Sequence, residues 1–218
     1  MYRGLLETEM TLFSLKALND GSAFLKTNDP VLASVINCTA PLKARNPAPS
    51  FETLCKITIG QQLSGTVADR IYARIAALPD MQPGFDPNNL LGVERNDLKN
   101  CGLSSQKTDF LVGFAKMLVE NPNTFDELSD LDDSDLIKEL MTIRGIGPWT
   151  AAIFSMSAYG RLNIFPHGDV TIQKCIERLY NFDFMTEKKD TDRIIARWVP
   201  YRSVAVCHLW NWYDEGKF

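Results

Sequence analysis

The sequence predicts an all-α protein, and three observations support this. Apolar residues recur at helical spacing along most of the chain, which places them on one face of a helix. One such series is Val67, Ile71, Ile75 and Leu78. No segment after Ser50 alternates apolar and polar residues as a half-buried strand does. Of the 218 residues, 45% are hydrophobic and 23% are charged, which is typical of a globular chain with a substantial core.

Helix starts are predicted where a side-chain oxygen can accept a hydrogen bond from a first-turn amide. The residues of this kind that precede an apolar periodic run are Ser50, Ser64, Ser104, Thr124, Ser134 and Asp169. The proline-rich stretches 41–49 and 79–87 are predicted to be connections. These signals divide the sequence into an N-terminal part up to about residue 40, a helical block from 50 to about 164, and a set of C-terminal helices.

The most informative segment is a predicted hairpin between two helices. Its glycines, Gly145 and Gly147, allow a tight reversal, because glycine can adopt positive φ and lets another molecule approach the backbone. Pro148 then begins the next helix, where a missing N–H costs nothing. The first amides of a helix bind anions, and such a hairpin most often meets a nucleic-acid phosphate. The segment therefore predicts a phosphate clamp, and a carboxylate, Asp169, follows 22 positions after Gly147.

Four short motifs in one order carry a family resemblance. They lie at residues 60–64, 143–151, 165–169 and 200–203. Together they resemble the helix-hairpin-helix DNA glycosylases of the HhH-GPD superfamily, and within it the alkylation-repair branch, 3-methyladenine DNA glycosylase II. The resemblance extends over about residues 50 to 213, which is most of the chain.

The resemblance implies a two-lobed helical fold. One lobe would contain about residues 1–40 together with 165–218, and the other would contain about residues 50–164, including the hairpin 142–149. The active site would lie in the cleft between the lobes, where the extruded nucleotide binds. Periodicity by itself supports only an all-helical chain.

Asp169 is the candidate catalytic residue. Local sequence alone makes it an N-cap for the following helix, since aspartate is among the best capping residues. The resemblance implies a second role for the same side chain. A carboxylate held ionised by backbone donors can stabilise a cationic sugar or orient a water molecule as a base.

Trp149 stands where strand-cutting relatives carry a lysine, two positions beyond the Gly-x-Gly. No Schiff base can form there, so the resemblance implies a monofunctional hydrolase that leaves an abasic site. Trp149 can be a core residue or a wall of the base pocket, because an electron-rich ring attracts a cationic alkylated purine. The implied substrates are 3-methyladenine and 7-methylguanine in duplex DNA.

Further DNA contacts follow from the resemblance. A polar loop such as 60–64 is by default solvated. An enzyme that flips a base must fill the gap with a wedge, and the resemblance assigns Gln62 as this wedge and Ser64 as a minor-groove contact. The predicted contacts in the hairpin are Gly145, Gly147 and Thr150.

The remaining motif residues are assigned other roles. Tyr201, Arg202 and Ser203 match the C-terminal motif of the family, and a structural role is the favoured interpretation for all three. His167 stands where a small residue is expected. It could tune the site, but a lone loop histidine is more often exposed to solvent.

No metal or redox cofactor is expected for catalysis. As in the family, the backbone carbonyls of Met141, Ile143 and Ile146 are expected to hold a structural Na⁺ or K⁺ ion. The five cysteines are never closer than 17 positions, so no Cys-x-x-Cys pair or iron–sulfur cluster is predicted.

Reduced core thiols indicate an intracellular compartment, either cytoplasmic or nuclear. No apolar stretch approaches the length of a membrane span, and acids interrupt the N-terminal apolar residues. We therefore expect a monomer that is not secreted and has no membrane partner.

The charge of the chain is the main evidence against DNA binding. A net charge of −4 and a pI near 5.3 are unlike the basic domains that bind nucleic acid broadly. Hairpin amides and helix dipoles bind phosphate without formal charge, so double-stranded DNA containing alkylated bases stays the expected partner. Two alternatives remain: a non-catalytic homologue that recognises damaged or abasic DNA, and a helical interaction protein that binds a protein partner through the hairpin.

Overall fold

The computed structural model describes residues 14–43, 48–181 and 188–218, and all structural statements concern these ranges. Within them the chain forms helices and no β-strand, which confirms the all-α prediction. None of the described helices combines the length and apolar character that crossing a membrane requires. The chain divides into two compact units. The middle unit contains residues 48–154, and the terminal unit contains residues 14–43 and the described part of 155–218.

The helices are short, and most are joined by tight connections. In chain order they are α1 (Leu15–Asn28), α2 (Pro30–Cys38), α3 (Phe51–Gly60), α4 (Gly65–Ala76), α5 (Pro87–Gly92), α6 (Arg95–Asn100), α7 (Ser105–Glu120), α8 (Thr124–Ser129), α9 (Asp133–Thr142), α10 (Pro148–Ser157), α11 (Val170–Tyr180), α12 (Lys188–Ala196) and α13 (Arg202–Asp214). The connection between α4 and α5 contains a short 3-10 turn, Pro79–Met81.

Four of the six predicted helix starts are confirmed as N-caps. Ser50, Ser104 and Asp169 each accept a hydrogen bond from an amide three residues later, at 3.1, 3.3 and 3.0 Å. Ser64 is also an N-cap, but its side chain makes no capping hydrogen bond. Local hydrogen bonding therefore explains where α3, α7 and α11 begin.

Two predicted starts are displaced by one or two residues. Helix α8 begins at Thr124 itself, and Asn123 is its N-cap. Helix α9 begins at Asp133 and not after Ser134, because the side chain of Asp132 accepts the amide of Asp135 at 2.9 Å. In a run of several capping residues the sequence pattern does not select one, since each can bond a nearby amide.

The boundary between the two compact units lies inside a helix. The middle unit ends at Phe154 and the terminal unit resumes at Ser155, so the boundary falls within α10. Residues 151–158 are all buried, so the sequence pattern does not signal a boundary between units at this point.

The core of the middle unit is built on α3 and a phenylalanine cluster. Helix α3 is buried from Leu54 to its end and packs against α4 and α7. The ring of Phe114 lies 6.0 Å from those of Phe51 and Phe110, and Phe125 bridges Phe114 to Phe154 at 6.2 and 5.8 Å. These aromatic contacts join α3, α7, α8 and α10.

A buried carboxylate organises the terminal unit. Asp29 is 0% exposed and caps α2 by accepting the amides of Val31 and Leu32, each at 3.1 Å. Its other oxygen accepts hydrogen bonds from the Tyr180 hydroxyl at 2.5 Å and the Trp198 indole N–H at 2.9 Å. Burial, together with the bond to this anion, raises the pKa of Tyr180. The start of α2, the end of α11 and the residue Trp198 are therefore held at one point.

Helix α13 is the central helix of the terminal unit. It packs against α1, α2 and α11, and residues 203–209 are buried. His208 lies within it, with Nε2 2.8 Å from the Ser22 hydroxyl of α1. Burial lowers the pKa of His208 from 6.5 to about 4, and the nearby charge of Lys26 acts in the same direction.

Acidification should destabilise the protein through His208. Because the folded pKa lies below the unfolded one, the unfolded chain takes up the proton first, and stability present above pH 6.5 is lost as the pH falls toward 4. Between pH 7.5 and pH 5 this loss amounts to about 2 kcal/mol. Chemical denaturation across that range should show it, and His208→Gln should flatten the dependence. Equal slopes for wild type and His208→Gln would contradict the assignment.

Candidate functional site

The hairpin between α9 and α10 has the predicted form. Helix α9 ends at Thr142, and the turn closes where the Ile146 amide donates to the Ile143 carbonyl at 3.0 Å. The Gly147 carbonyl accepts the amide of Ala151 at 2.9 Å, which is the first bond of the next helix. Pro148 begins α10 as expected. The first amides of α10 have no acceptor within their own helix, so they can bind an anion.

The two hairpin glycines play different parts. Gly145 has φ +95°, and a Cβ there would overlap the ring of Phe110. Gly147 is outside the left-handed region, and a Cβ there would meet no heavy atom within 4 Å. Of the two glycines, Gly145 therefore adopts the positive φ that the sequence analysis allowed for either. Gly145 is required by the fold, whereas the space beside Gly147 is open to another molecule.

The first turn of α10 carries two more predicted site residues. Trp149 is half-buried. Thr150 is only 3% exposed, and its hydroxyl accepts a hydrogen bond from Gln61 Nε2 at 2.9 Å. This hydroxyl is therefore an acceptor within the middle unit, and the DNA contact expected of Thr150 stays a prediction.

The turn between α3 and α4 places two predicted DNA contacts at the surface. Gln62 is exposed and has φ +57°, a left-handed conformation that residues other than glycine seldom adopt. Ser64 is exposed as well, and the cap of α4 does not use its hydroxyl. Lys107 of α7 donates to the carbonyls of Ile59 and Gln61 at 2.9 and 2.7 Å. Sequence reasoning missed Lys107, because nothing along the chain links it to a turn more than 40 residues earlier.

The loop 165–169 ends at the candidate catalytic carboxylate. The Asp169 amide donates to the Pro166 carbonyl at 3.0 Å, and Gly168 between them has φ +91°. Asp169 is 4% exposed, and its Oδ1 accepts the amide of Ile172 at 3.0 Å. Burial raises the pKa of Cys175 to about 12, and the charge of Asp169 contributes. The capping role of Asp169 is thus present in the structure.

His167 projects from the same loop. It is exposed, as a lone loop histidine usually is, and its ring meets that of Phe165 edge-on at a centroid distance of 4.9 Å. Phe165 itself is buried, and its ring lies 6.1 Å from that of Trp198. These contacts connect the 165–169 loop to Trp198, whose indole N–H donates to Asp29.

The C-terminal motif binds the segment that leads to Asp169. The Ser203 hydroxyl donates to the Arg161 carbonyl at 2.6 Å and accepts the Ile164 amide at 3.0 Å. Arg202 Nε donates to the side chain of Asn163 at 2.8 Å. Both residues therefore have structural contacts, in agreement with the favoured interpretation. Tyr201 packs its ring against Phe24, with centroids 5.3 Å apart.

Two of the three hairpin carbonyls that are expected to hold a monovalent cation, those of Met141 and Ile143, lie at the end of α9. Met141 lies in the last turn of α9, where carbonyls lack helical partners and the helix dipole is negative. Ile143 uses its carbonyl for the Ile146 amide but keeps a second lone pair. Neutral oxygens of this kind suit Na⁺ or K⁺. In the described part of the chain, no group of three or more His, Cys, Asp or Glu side chains could hold a metal ion.

The structure collects the site residues in two places. In the middle unit, hydrogen bonds join the 60–64 turn to Lys107 and to Thr150 beside the hairpin. In the terminal unit, Asp169 stands at the start of α11, supported by the loop that Ser203 binds. Two supporting residues lacked a signal in the sequence, namely Phe110 beneath Gly145 and Asp29 at the far end of α11.

Known proteins share this sequence and fold. Residues 55–201 match the family described as HhH-GPD superfamily base excision DNA repair protein. The putative DNA-3-methyladenine glycosylase YfjP of Bacillus subtilis is 30% identical over 74% of the chain. DNA-3-methyladenine glycosylase 2 of Escherichia coli is 27% identical over 77% of the chain. The chain spans 58% of the length of each of these two relatives.

A solved structure agrees with the sequence matches. The crystal structure of a DNA-3-methyladenine glycosidase from Bacillus halodurans superposes with a TM-score of 0.70 at 29% identity, covering 89% of this chain and 88% of that one. The family match covers more than half of the chain and includes the 60–64 turn, the hairpin and the Asp169 loop. The chain therefore belongs to the HhH-GPD superfamily of base excision DNA repair proteins.

Proposed function

We propose that this protein is a monofunctional DNA glycosylase that hydrolyses the N-glycosidic bond of alkylated purines in duplex DNA. Its substrates are 3-methyladenine and 7-methylguanine, removed by base flipping as the first step of base excision repair. The observation that carries the proposal is the buried carboxylate of Asp169, which caps α11 and follows a hairpin with Trp149 in the lysine position. Relatives named DNA-3-methyladenine glycosylase support the choice of substrate.

Asp169 acts on the sugar of the flipped nucleotide. As the glycosidic bond breaks, positive charge develops on the sugar, and an adjacent carboxylate stabilises it. Water adds at C1′, and Asp169 accepts the proton that the water loses. The alkylated base carries a positive charge before the reaction, so it leaves as a neutral molecule without a proton donor. The amide of Ile172 donates to Oδ1 of Asp169 and so fixes the orientation of the carboxylate.

Binding depends on the two surface features of the middle unit. The hairpin binds a phosphate through the first amides of α10, with Gly147 leaving space for the DNA backbone. Gln62 fills the gap left by the flipped base, and Ser64 contacts the minor groove. Trp149 offers the face of its ring to the cationic base.

The other expectations complete the proposal. No cofactor takes part in the chemistry, and the carbonyls of Met141, Ile143 and Ile146 hold a structural Na⁺ or K⁺ ion that stiffens the hairpin. The protein acts as a monomer on double-stranded DNA, in the cytoplasm or nucleus where the genome lies. No observation favours a non-catalytic homologue, since the chain retains the carboxylate at Asp169.

Asp169→Asn should abolish most excision while preserving the fold. Asparagine caps a helix nearly as well as aspartate but carries no charge. Incubation with methylated DNA and chromatography of the released bases should show a rate at least about a hundredfold lower, the scale of a positioned electrostatic group. Binding to abasic DNA should persist. The same change at another capping residue, Asp86→Asn on α5, should leave excision at the wild-type rate; unchanged excision in Asp169→Asn would refute the catalytic role.

The two hairpin glycines should respond differently to alanine. Gly147→Ala should lower the affinity for every duplex alike, by about tenfold, because the contact is to phosphate and carries no base information. Its melting temperature should stay at the wild-type value, since the added methyl meets no atom of the protein. Gly145→Ala should lower the melting temperature, through backbone strain of about 1–3 kcal/mol and the clash with Phe110. Wild-type affinity in a folded Gly147→Ala protein would show that the hairpin is not the clamp.

The product should be an intact strand bearing an abasic site. Trp149 replaces the amine of the strand-cutting relatives, and the hairpin and the 165–169 loop contain no lysine. After incubation with an alkylated duplex, only the half of the sample treated with hot alkali should contain cleaved strand. Borohydride should trap no covalent complex, whereas a strand-cutting glycosylase on its own substrate gives the positive control. Strand cleavage without alkali would contradict this prediction, because it would show that an amine elsewhere in the protein attacks the sugar.

A further inference from the structure

Lys107 makes an unusual pair of contacts for a lysine on a helix. It lies in the first turn of α7, where its amide is capped by the Ser104 hydroxyl at 3.3 Å. Its ammonium group reaches the end of α3 and donates to the carbonyls of Ile59 and Gln61 at 2.9 and 2.7 Å. The side chain is half-buried, and this partial burial lowers the pKa of Lys107.

The position of Lys107 is unfavourable for its own helix. A positive charge in the first turn of α7 opposes the helix dipole, whereas the same charge at the C-terminal end of α3 is favourable. Carbonyls at a helix end also lack helical partners, and lysine side chains can satisfy them. The positive charge of Lys107 therefore stabilises the C-terminal end of α3, although Lys107 itself belongs to α7.

The segment held by Lys107 is strained and exposed. Gln62 follows directly after the bound Gln61 carbonyl and has φ +57°. A non-glycine residue seldom adopts this conformation, which persists only where the surroundings determine it. On the other side of Gln61, the side-chain amide bonds the buried Thr150 hydroxyl at 2.9 Å. Residue 61 is thus fixed through both its carbonyl and its side chain, and residue 62 stands at the surface beyond it.

We propose that Lys107 is a positioning residue for base flipping, which holds the 60–64 turn so that Gln62 enters the DNA stack in one fixed conformation. This inference rests on the proposed function. Lys107 touches neither the base nor the sugar. It lowers the cost of inserting Gln62 by ordering the turn before DNA binds, as preorganised groups do.

The first test compares substrates that need the wedge to different degrees. Lys107→Met keeps the length of the side chain and removes the ammonium group. Single-turnover excision of 7-methylguanine should fall by about tenfold when the base is paired with cytosine in a duplex, because unstacking a paired base costs the most. Excision of the same base from single-stranded DNA should fall less than about twofold. Equal losses on both substrates, or no loss on the duplex, would overturn the proposal.

The second test asks whether Lys107 acts through Gln62. In a double-mutant cycle, Lys107→Met should add little to the loss caused by Gln62→Ala, since a positioning residue has no effect once the group that it positions is gone. Additive losses would mean that Lys107 acts independently and would overturn the proposal. Lys107→Arg, which keeps the charge and the donors, should recover most of the duplex activity.

Controls separate this role from general effects. Lys116→Met removes an exposed lysine from the same helix and should behave as wild type in excision and melting. If Lys107→Met melts too low for the assay, both tests are run at a lower temperature at which the variant is fully folded. If Lys107→Met weakens binding to all duplexes and makes that binding less dependent on salt, Lys107 contacts a DNA phosphate, and the proposal is overturned.

If wild-type protein releases no base from methylated DNA, the proposed glycosylase activity itself fails.

Discussion

The buried carboxylate of Asp29 is the constraint on which the terminal unit depends. A charge without water is costly unless hydrogen bonds replace the lost hydration, and four donors do so at this position. One of them, Tyr180, is the last residue of α11, and Asp169 caps the first turn of that helix. The placement of the candidate catalytic carboxylate therefore depends on a second carboxylate at the opposite end of the same helix.

The middle unit supports its irregular segments by a different means. The hairpin rests on an aromatic ring, since Gly145 leaves no room for a side chain above Phe110. The 60–64 turn depends on hydrogen bonds from Lys107 and to Thr150. Backbone outside helices has no ladder of its own hydrogen bonds, so side chains from distant helices must order it. The two segments proposed to bind DNA are thus both ordered by side chains from other helices.

Much of the local structure could be predicted from sequence, and the errors are informative. The hairpin, Pro148 at the start of α10 and the cap at Asp169 were predicted correctly because each depends on residues within one or two turns. The predicted start of α9 at Ser134 is two residues late because Asp132 caps the helix first, through the amide of Asp135. The sequence pattern does not tell which hairpin glycine adopts positive φ, and the structure shows it at Gly145.

The sequence by itself determined the helical class, the hairpin and the family to which the chain belongs, because periodicity, capping and motif order are local or linear properties. Only the tertiary structure decided which side chains hold the functional segments. The bond from Gln61 to Thr150 spans 89 positions, and that from Lys107 to the Ile59 carbonyl spans 48. Contacts over such separations form because the burial of helices brings them together, and no local pattern encodes which polar partners then meet.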